Sequence, residues 1–236
     1  MTIFRDRTDA GKRLAEALST QENRSNAVVL ALPRGGVPVG FEVAKALHAR
    51  LDAFMVRKLG APGHEELAMG AIASGGVVVW NEDVLRDLNI SESTKDRVLA
   101  RERGILQQRE SSYRGDRPAV EIPGKTVILV DDGLATGASM RAAVSAVRSR
   151  RPARLIIAVP TAPQETCKAF KAIADQVVCL TTPRPFSAVG LWYSDFSQTT
   201  DEEVRQLLDQ AEDLFHDRPL RPETGGEHGL EPWAAG

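Results

Sequence analysis

Two adjacent carboxylates, Asp131 and Asp132, follow a run of four apolar residues and precede a loop of small and hydroxylated residues. The apolar run, residues 127–130, has the composition of a strand that is buried on both faces. Side chains that follow such a strand lie at the edge of an open α/β sheet where ligands bind. Thr136 and Ser139 add hydroxyl groups, and a helix beginning there would offer free N–H groups and a positive dipole end. These residue types together predict an anion site beside a hydroxyl-binding acid pair, which a phosphorylated sugar would satisfy.

The same loop contains two glycines, Gly133 and Gly137, where the chain must turn tightly and approach a ligand closely. No Gly-Lys-Ser/Thr occurs in the loop, which excludes a Walker-type phosphate loop, and the G-x-G-x-x-G fingerprint is absent as well. The structural alternative is a strand–turn–helix junction in which an acid only caps the helix.

Residues 127–139, VILVDDGLATGAS, resemble the phosphoribosyl pyrophosphate (PRPP) signature of type I phosphoribosyltransferases. That motif consists of four hydrophobic residues, two acids and a loop rich in Gly, Ala and Thr. The resemblance implies that Asp131 and Asp132 are catalytic and hold the ribose hydroxyls, either directly or through Mg²⁺. It also implies a binding loop for the 5-phosphate, formed by Gly133, Leu134, Ala135, Thr136, Gly137, Ala138 and Ser139.

A second strand–loop–helix unit lies near the start of the chain. An apolar run at residues 26–32 is followed by the PRGG loop, residues 33–36, and by a predicted helix. In the resemblance this loop binds pyrophosphate: Arg34 supplies charge, and the amides of Gly35 and Gly36 approach the diphosphate. Family members often hold a non-proline cis peptide there. The alternative is a tight turn with a solvent-facing arginine.

A third predicted strand, residues 51–56, ends at Arg57 and Lys58. Basic residues at the C-terminal end of a strand point towards the same ligand crevice. They resemble the basic pair before the mobile loop of the family, and in that role they would be catalytic by offsetting charge on departing pyrophosphate. A solvated charge pair is the alternative.

Residues 59–81 contain five glycines and resemble the flexible loop that closes over the reacting centre in this family and excludes water. A Gly-Gly pair predicts a hairpin between strands at residues 67–73 and 77–80. His64 and its two glutamate neighbours are interpreted as surface residues, because nothing nearby completes a metal-ligand set.

A charged helix is predicted at about residues 93–111, starting at a capping box. This inserted helix separates the hairpin from the signature strand. Its basic residues are mixed with acids, which favours a solvated face over a binding patch. They include Arg97, Arg101, Arg103 and Arg109.

Residues 183–199 hold four of the chain's 12 aromatic residues. This stretch resembles the phenylalanine-plus-acid segment of the small hood with which purine phosphoribosyltransferases hold a base. By that likeness Phe186 and Trp192 would bind an acceptor ring, Asp195 would lie near the base or the metal, and an N-terminal segment would complete the hood. The alternative is that these aromatic residues cover the edge of the sheet.

Apolar strands alternate with helices of about a dozen residues, which predicts βαβ units. The predicted fold class is therefore α/β, with a Rossmann-like, mainly parallel sheet flanked by helices, as in the type I family. The length of 236 residues suggests a single domain over residues 1–215. Residues 216–236, rich in Pro, Gly and charge, are expected to form a disordered tail.

The composition limits the partners and the compartment. The balance of 30 basic and 32 acidic residues gives no case for binding nucleic acid or an anionic membrane. Cys167 and Cys179 form no C-x-x-C pair, so we expect neither a zinc site nor a disulfide, but two buried thiols in a reducing compartment. The N-terminus lacks an apolar signal region, which predicts a cytoplasmic protein. Homodimerisation is left open.

The resemblance implies an enzyme, a pentosyl-transferring glycosyltransferase of nucleoside metabolism. It would transfer 5-phosphoribosyl from Mg²⁺-bound PRPP to a nitrogenous small-molecule acceptor and release pyrophosphate. Hypoxanthine–guanine enzymes carry a proton-accepting aspartate where this chain has Ala135, which disfavours 6-oxopurine salvage and leaves the acceptor open. Two other classes stay open: a PRPP-binding regulator without turnover, and a hydrolase or phosphorylase of a phosphorylated ribose.

Overall fold

The computed structural model describes residues 3–19 and 26–216, which form two sheets with helices packed on both. Of the tail expected at residues 216–236, only His216 is described, as the last residue of a helix, and the rest lies outside the described residues. None of the described helices combines the length and the apolar composition needed to cross a bilayer.

The strands are β1 (Ala27–Ala31), β2 (Arg50–Ala53), β3 (Val56–Ala61), β4 (His64–Ala73), β5 (Val77–Trp80), β6 (Thr126–Val130), β7 (Arg154–Thr161) and β8 (Gln176–Thr181). The helices are α1 (Arg7–Leu18), α2 (Gly36–Leu47), α3 (Glu82–Asp87), α4 (Glu92–Arg114), α5 (Ala138–Ser149), α6 (Gln164–Phe170) and α7 (Asp201–His216), with a 3₁₀ helix at Val189–Trp192.

The larger sheet is parallel throughout, with strand order β2-β1-β6-β7-β8. Successive side chains of β6 enter different cores: Val127 and Leu129 pack with α5 and α6, whereas Ile128 and Val130 pack with α1, α2 and α7. Both faces of the sheet are therefore covered, which explains the continuous apolar strands. The predicted α/β class with a mainly parallel sheet is confirmed.

The segment after β2 departs from the prediction. The strand expected at residues 51–56 ends at Ala53, and the chain turns through Phe54, whose N–H donates to the carbonyl of Ala31 at 2.8 Å. β3 then starts a separate antiparallel sheet of order β3-β4-β5, which includes the expected hairpin loop of residues 59–81. The predicted hairpin is confirmed, since β4 and β5 pair antiparallel up to Ala73 and Val77. Gly75 and Gly76 form its turn with positive φ angles of 77° and 79°.

The small sheet lies between two helices. Leu59, Met69 and Ile72 share a core with Leu106 of α4, whereas Val56 packs against the core that contains α5. α4 is longer than the predicted 93–111 helix. Its cap is Ser91, whose hydroxyl accepts from the N–H of Thr94 at 3.3 Å, and not the predicted Ser93.

The cysteines differ from the expectation of two separate thiols, because Cys167 and Cys179 form a disulfide. Cys167 lies on α6 and Cys179 on β8, only 12 residues further along the chain. α6 packs beside β8, and this packing brings the two side chains together. The cysteine spacing alone carried no information about that packing.

Asp175 lies directly before β8, and its side chain hydrogen-bonds to the start of β7. Its carboxylate accepts from the N–H of Leu155 at 2.6 Å and pairs with Arg148 at 3.0 Å. The hydrogen bond from Arg148, followed by that from Leu155, lowers the pKa of Asp175 below its usual value. Folding therefore favours the charged carboxylate.

We expect Asp175→Asn to lower the free energy of unfolding by about 1 kcal/mol near neutral pH. The folded-state pKa is lowered, so this contribution is complete above the unfolded pKa of about 4 and is lost as the pH falls through the folded pKa. Urea denaturation at neutral pH and at about pH 3 tests it, with the exposed Asp116→Asn as the control. An equal loss at both pH values would contradict this account.

Candidate active site

The ends of β1 and β6 bring the PRGG loop against the acid pair, Asp131 and Asp132. The N–H of Leu32 donates to the carbonyl of Val130 at 2.9 Å, so the two strands stay paired up to the loops. A Cβ on Gly35 would collide with the Asp132 carboxylate, and one on Gly36 would lie 2.9 Å from the Val130 carbonyl oxygen. Only glycine allows this approach. The Pro33–Arg34 peptide is cis, as the family resemblance implied.

A cavity of about 140 Å³ opens beside these loops, and we call it the arginine pocket. Four residues predicted from the sequence meet there: Arg34, Arg57, Asp131 and Ser139. Helix α4 adds Arg109 and Tyr113, for which the sequence indicated no role in a site. The full polar lining is Arg34, Arg57, Arg109, Tyr113, Asp131 and Ser139. The pocket therefore combines three arginines with one carboxylate.

The environment of the acid pair disfavours the ionised forms of both carboxyls. Burial, followed by the charge of Asp132, raises the pKa of Asp131 well above its usual range. Burial also raises the pKa of Asp132, and the neighbouring Arg7 opposes that rise. Two carboxylates this close favour a neighbouring positive charge, because such a charge stabilises both ionised forms.

Arg7, in the first turn of α1, supplies that charge in the structure. Its Nε donates to the Asp132 carboxylate at 2.8 Å, and the two side chains are only 12% and 15% exposed. The same guanidinium donates to the Ser197 carbonyl at 2.6 Å and lies 4.0 Å from the centre of the Phe196 ring. No sequence pattern indicated a role for α1 in the site, so Arg7 is a site residue that could not be predicted.

The signature loop, residues 133–139, divides into anchored and exposed positions. Leu134 is buried, and its N–H donates to the Thr161 carbonyl at 3.0 Å, so this amide is not free for a phosphate. Gly137 has a φ of 72° and precedes the first turn of α5. The positions exposed to a ligand are Ala135, Thr136, Ala138 and Ser139.

Lys58 does not join Arg57 in the arginine pocket. Neighbouring residues of a strand point to opposite faces, and Lys58 lines a separate cleft of about 400 Å³ between the small sheet and α5. There its Nζ lies 3.5 Å from the Glu66 carboxylate. Ser139 lines both spaces, so the cleft adjoins the arginine pocket.

The hood residues predicted to bind an acceptor differ in their exposure. Trp192 is 3% exposed and stacks with the half-buried Phe186, with ring centres 6.2 Å apart. Asp195 is fully exposed, and its carboxylate accepts from the N–H of Ser197 at 2.9 Å, which lowers the pKa of Asp195. Tyr193 links the hood to the acid pair, because its hydroxyl donates to the Asp132 carbonyl at 2.5 Å.

Comparison with known proteins agrees with this arrangement. Residues 3–191 match the family model described as the phosphoribosyl transferase domain. The chain belongs to the phosphoribosyl transferase domain family. The match includes both loops and the strands β1 to β8, and it ends inside the 3₁₀ helix, before α7.

Similar proteins come from two bacterial sources. The chain is 44% identical over 232 residues to "Putative phosphoribosyl transferase Rv0571c" of Mycobacterium tuberculosis, and the same holds for "Putative phosphoribosyl transferase MT0597" of that species. The alignment covers 94% of this chain, and the chain spans about half the length (52%) of these curated relatives. The crystal structure of TT1426 from Thermus thermophilus is 47% identical, with a TM-score of 0.78 and coverage of 88% of this chain and 98% of that one.

Helix α7 lies outside the residues that match the family model, but it also contacts residues of the candidate site. Asp201, its first residue, lies 3.7 Å from a guanidinium nitrogen of Arg34 and accepts from the hydroxyl of Tyr113 at 2.5 Å. Burial, together with this carboxylate, raises the pKa of Tyr113 to about 12. Tyr113 therefore stays protonated and donates to Asp201 across the physiological pH range.

Removal of the Arg7 charge should show how strongly the acid pair depends on it. We expect Arg7→Met to lower the free energy of unfolding by about 3 kcal/mol, because it leaves the Asp132 charge buried and unpaired. Adding Asp132→Asn should restore most of the loss. Urea denaturation of the two single variants and the double variant measures this coupling, and strictly additive losses would contradict it.

Proposed function

We propose that this domain binds PRPP together with Mg²⁺ and transfers its 5-phosphoribosyl group to a nitrogenous acceptor, releasing pyrophosphate. The observation that carries the proposal is the position of the acid pair between two loops, each suited to an anion. The PRGG loop contacts the pair through Gly35 and Gly36, and the signature loop follows it directly. A sugar with an anionic group at each end fits such a site.

Each end of PRPP has a distinct set of candidate partners. The exposed hydroxyls of Thr136 and Ser139 and the first turn of α5 would hold the 5-phosphate. Arg34, Arg57 and the backbone of the PRGG loop would hold the diphosphate. Asp131 and Asp132 would hold the ribose hydroxyls between them.

The acid pair also fits Mg²⁺. Within residues 3–19 and 26–216, no group of three or more His, Cys, Asp or Glu residues could hold a metal by itself. Two carboxylates suit a Mg²⁺ ion that takes its other oxygens from the diphosphate, the ribose hydroxyls and water. When bound, Mg²⁺ would neutralise charge on the diphosphate leaving group.

The reaction replaces the bond between ribose C1 and a diphosphate oxygen with a bond from C1 to the acceptor nitrogen, and the proton released from that nitrogen passes to the departing diphosphate or to water. Positive charge develops on the sugar as the diphosphate departs. The carboxylates of Asp131 and Asp132 would stabilise that charge, and the guanidinium groups of Arg34 and Arg57 would stabilise the leaving group. Enclosure of the site would keep water from competing with the acceptor.

The acceptor is proposed only as a nitrogenous small molecule, for example a nucleobase. Ala135 is exposed in the signature loop and offers no proton acceptor, which continues to disfavour 6-oxopurines. The hood adds the half-buried ring of Phe186. The stacked Trp192 is buried, so we propose that it supports Phe186 and does not itself contact the acceptor.

Loss of both carboxylates should abolish most of the turnover. We expect Asp131→Asn with Asp132→Asn to lower kcat at least about 100-fold, comparable to the loss of a central electrostatic stabiliser. The unfolding transition should remain cooperative, because the replaced charges are themselves unfavourable in the folded state. Asp83→Asn with Asp87→Asn, at exposed positions of α3, is the matched control. A variant that is inactive and also unfolded would indicate a structural role instead.

Titration calorimetry with PRPP and Mg²⁺ tests the shared premise of the three function classes. If PRPP binds, a pyrophosphate-release screen across nucleobases and other nitrogenous acceptors separates the transferase from a regulator that only binds. Release without any acceptor would indicate hydrolysis. No binding of PRPP would contradict the proposal.

A further inference from the structure

Helix α4 presents one continuous face to the arginine pocket. Glu102, Leu106, Arg109 and Tyr113 are spaced by four, three and four residues, so they lie along one side of the helix. Leu106 and Tyr113 are 1% and 5% exposed, respectively, and both join the core formed with the small sheet. The backbone at Arg109 is therefore fixed by buried residues on either side of it, whereas its side chain is exposed and lines the pocket.

The guanidinium of Arg109 differs from those of the two other arginines in the pocket. Arg57 pairs with Glu102 at 2.6 Å, and Arg34 lies 3.7 Å from Asp201. Within the described part of the chain, no carboxylate lies within ion-pair distance of Arg109. Among the three guanidinium groups that line this pocket of about 140 Å³, only that of Arg109 lacks a carboxylate partner in the described residues, so an anion bound there could pair with it.

The face of α4 also orients the other two arginines. Glu102 holds Arg57 directly, and only 9% of this glutamate is exposed. Tyr113 donates to Asp201, which in turn lies beside Arg34. One helix thus carries Arg109 and positions both Arg57 and Arg34.

We propose that Arg109 is a third binding residue for the diphosphate end of the donor. This inference rests on the proposed function and adds to it a helix that the sequence assigned to a solvated face. A guanidinium presents several N–H donors in a planar fork that matches phosphate oxygens. Three such groups fit a diphosphate, which carries more charge and more oxygens than a single phosphate.

The test compares three ligands on the full chain by titration calorimetry: PRPP with Mg²⁺, inorganic pyrophosphate with Mg²⁺, and ribose 5-phosphate. Arg109→Ala should weaken PRPP and pyrophosphate about tenfold or more, because it removes charge-assisted hydrogen bonds. Ribose 5-phosphate lacks the diphosphate, so its affinity should stay within about twofold. Arg103→Ala, at an exposed position of the same helix that does not line the pocket, should leave all three unchanged.

Arg109→Lys keeps the charge and should recover part of the loss. If Arg109→Ala lowers the melting temperature, the affinities for the three ligands are compared for Arg109→Gln and Arg109→Lys instead, because both variants retain a long side chain. Unchanged affinity for pyrophosphate, or an equal loss for all three ligands, would overturn the role of Arg109 and leave the proposed function standing. Wild-type protein that binds neither PRPP nor pyrophosphate would overturn both.

Discussion

The negative charge of Asp131 and Asp132, buried where β6 ends, is the constraint on which the rest of the site depends. Burial raises the pKa values of both carboxyls, so the fold must supply positive charge beside them. Arg7 does so from near the start of the described chain, 125 residues from Asp132. The hood then holds Arg7 through Phe196 and the Ser197 carbonyl. Arg7 thereby keeps the two buried carboxylates compatible with folding.

The arginines that line the arginine pocket come from three separate segments, and the protein itself supplies carboxylate partners for two of them. The segments are the PRGG loop, β3 and α4, and the two partners are Glu102 and Asp201. The buried Glu102 fixes the direction of the Arg57 guanidinium, which would lower the ordering cost of binding an anion there. The small sheet contributes by carrying Arg57 on the face that packs against α4. The same alternation carries Lys58 to the other face, away from the arginine pocket.

Contiguous features of the site could be predicted from the sequence, whereas contacts between distant segments could not. Both strand–loop–helix units were predicted because apolar runs, glycines and polar residues follow one another over a short stretch of chain, and the α/β class followed from their alternation with helices. The contact between Tyr113 and Asp201 joins residues 88 positions apart, and no local pattern encodes it. That α4 lines the pocket was missed for a related reason. The four arginines predicted to form a solvated face are exposed, but the burial of Leu106 and Tyr113 against the small sheet places Arg109 at the pocket. The division of the third strand at Phe54 and the pairing of Cys167 with Cys179 likewise depend on tertiary packing.

The position of Asp201 at the start of α7 has a consequence for how the site forms during synthesis. The parallel sheet, the acid pair and all three arginines precede it in the chain, and N-terminal segments leave the ribosome first. Until α7 emerges, Tyr113 and Arg34 lack the carboxylate that joins them. The core on the side of α5 and α6 can therefore form while the basic pocket is still unorganised, because α7 packs only into the core on the other face of the sheet. The basic pocket would then be completed together with that second core, later in synthesis.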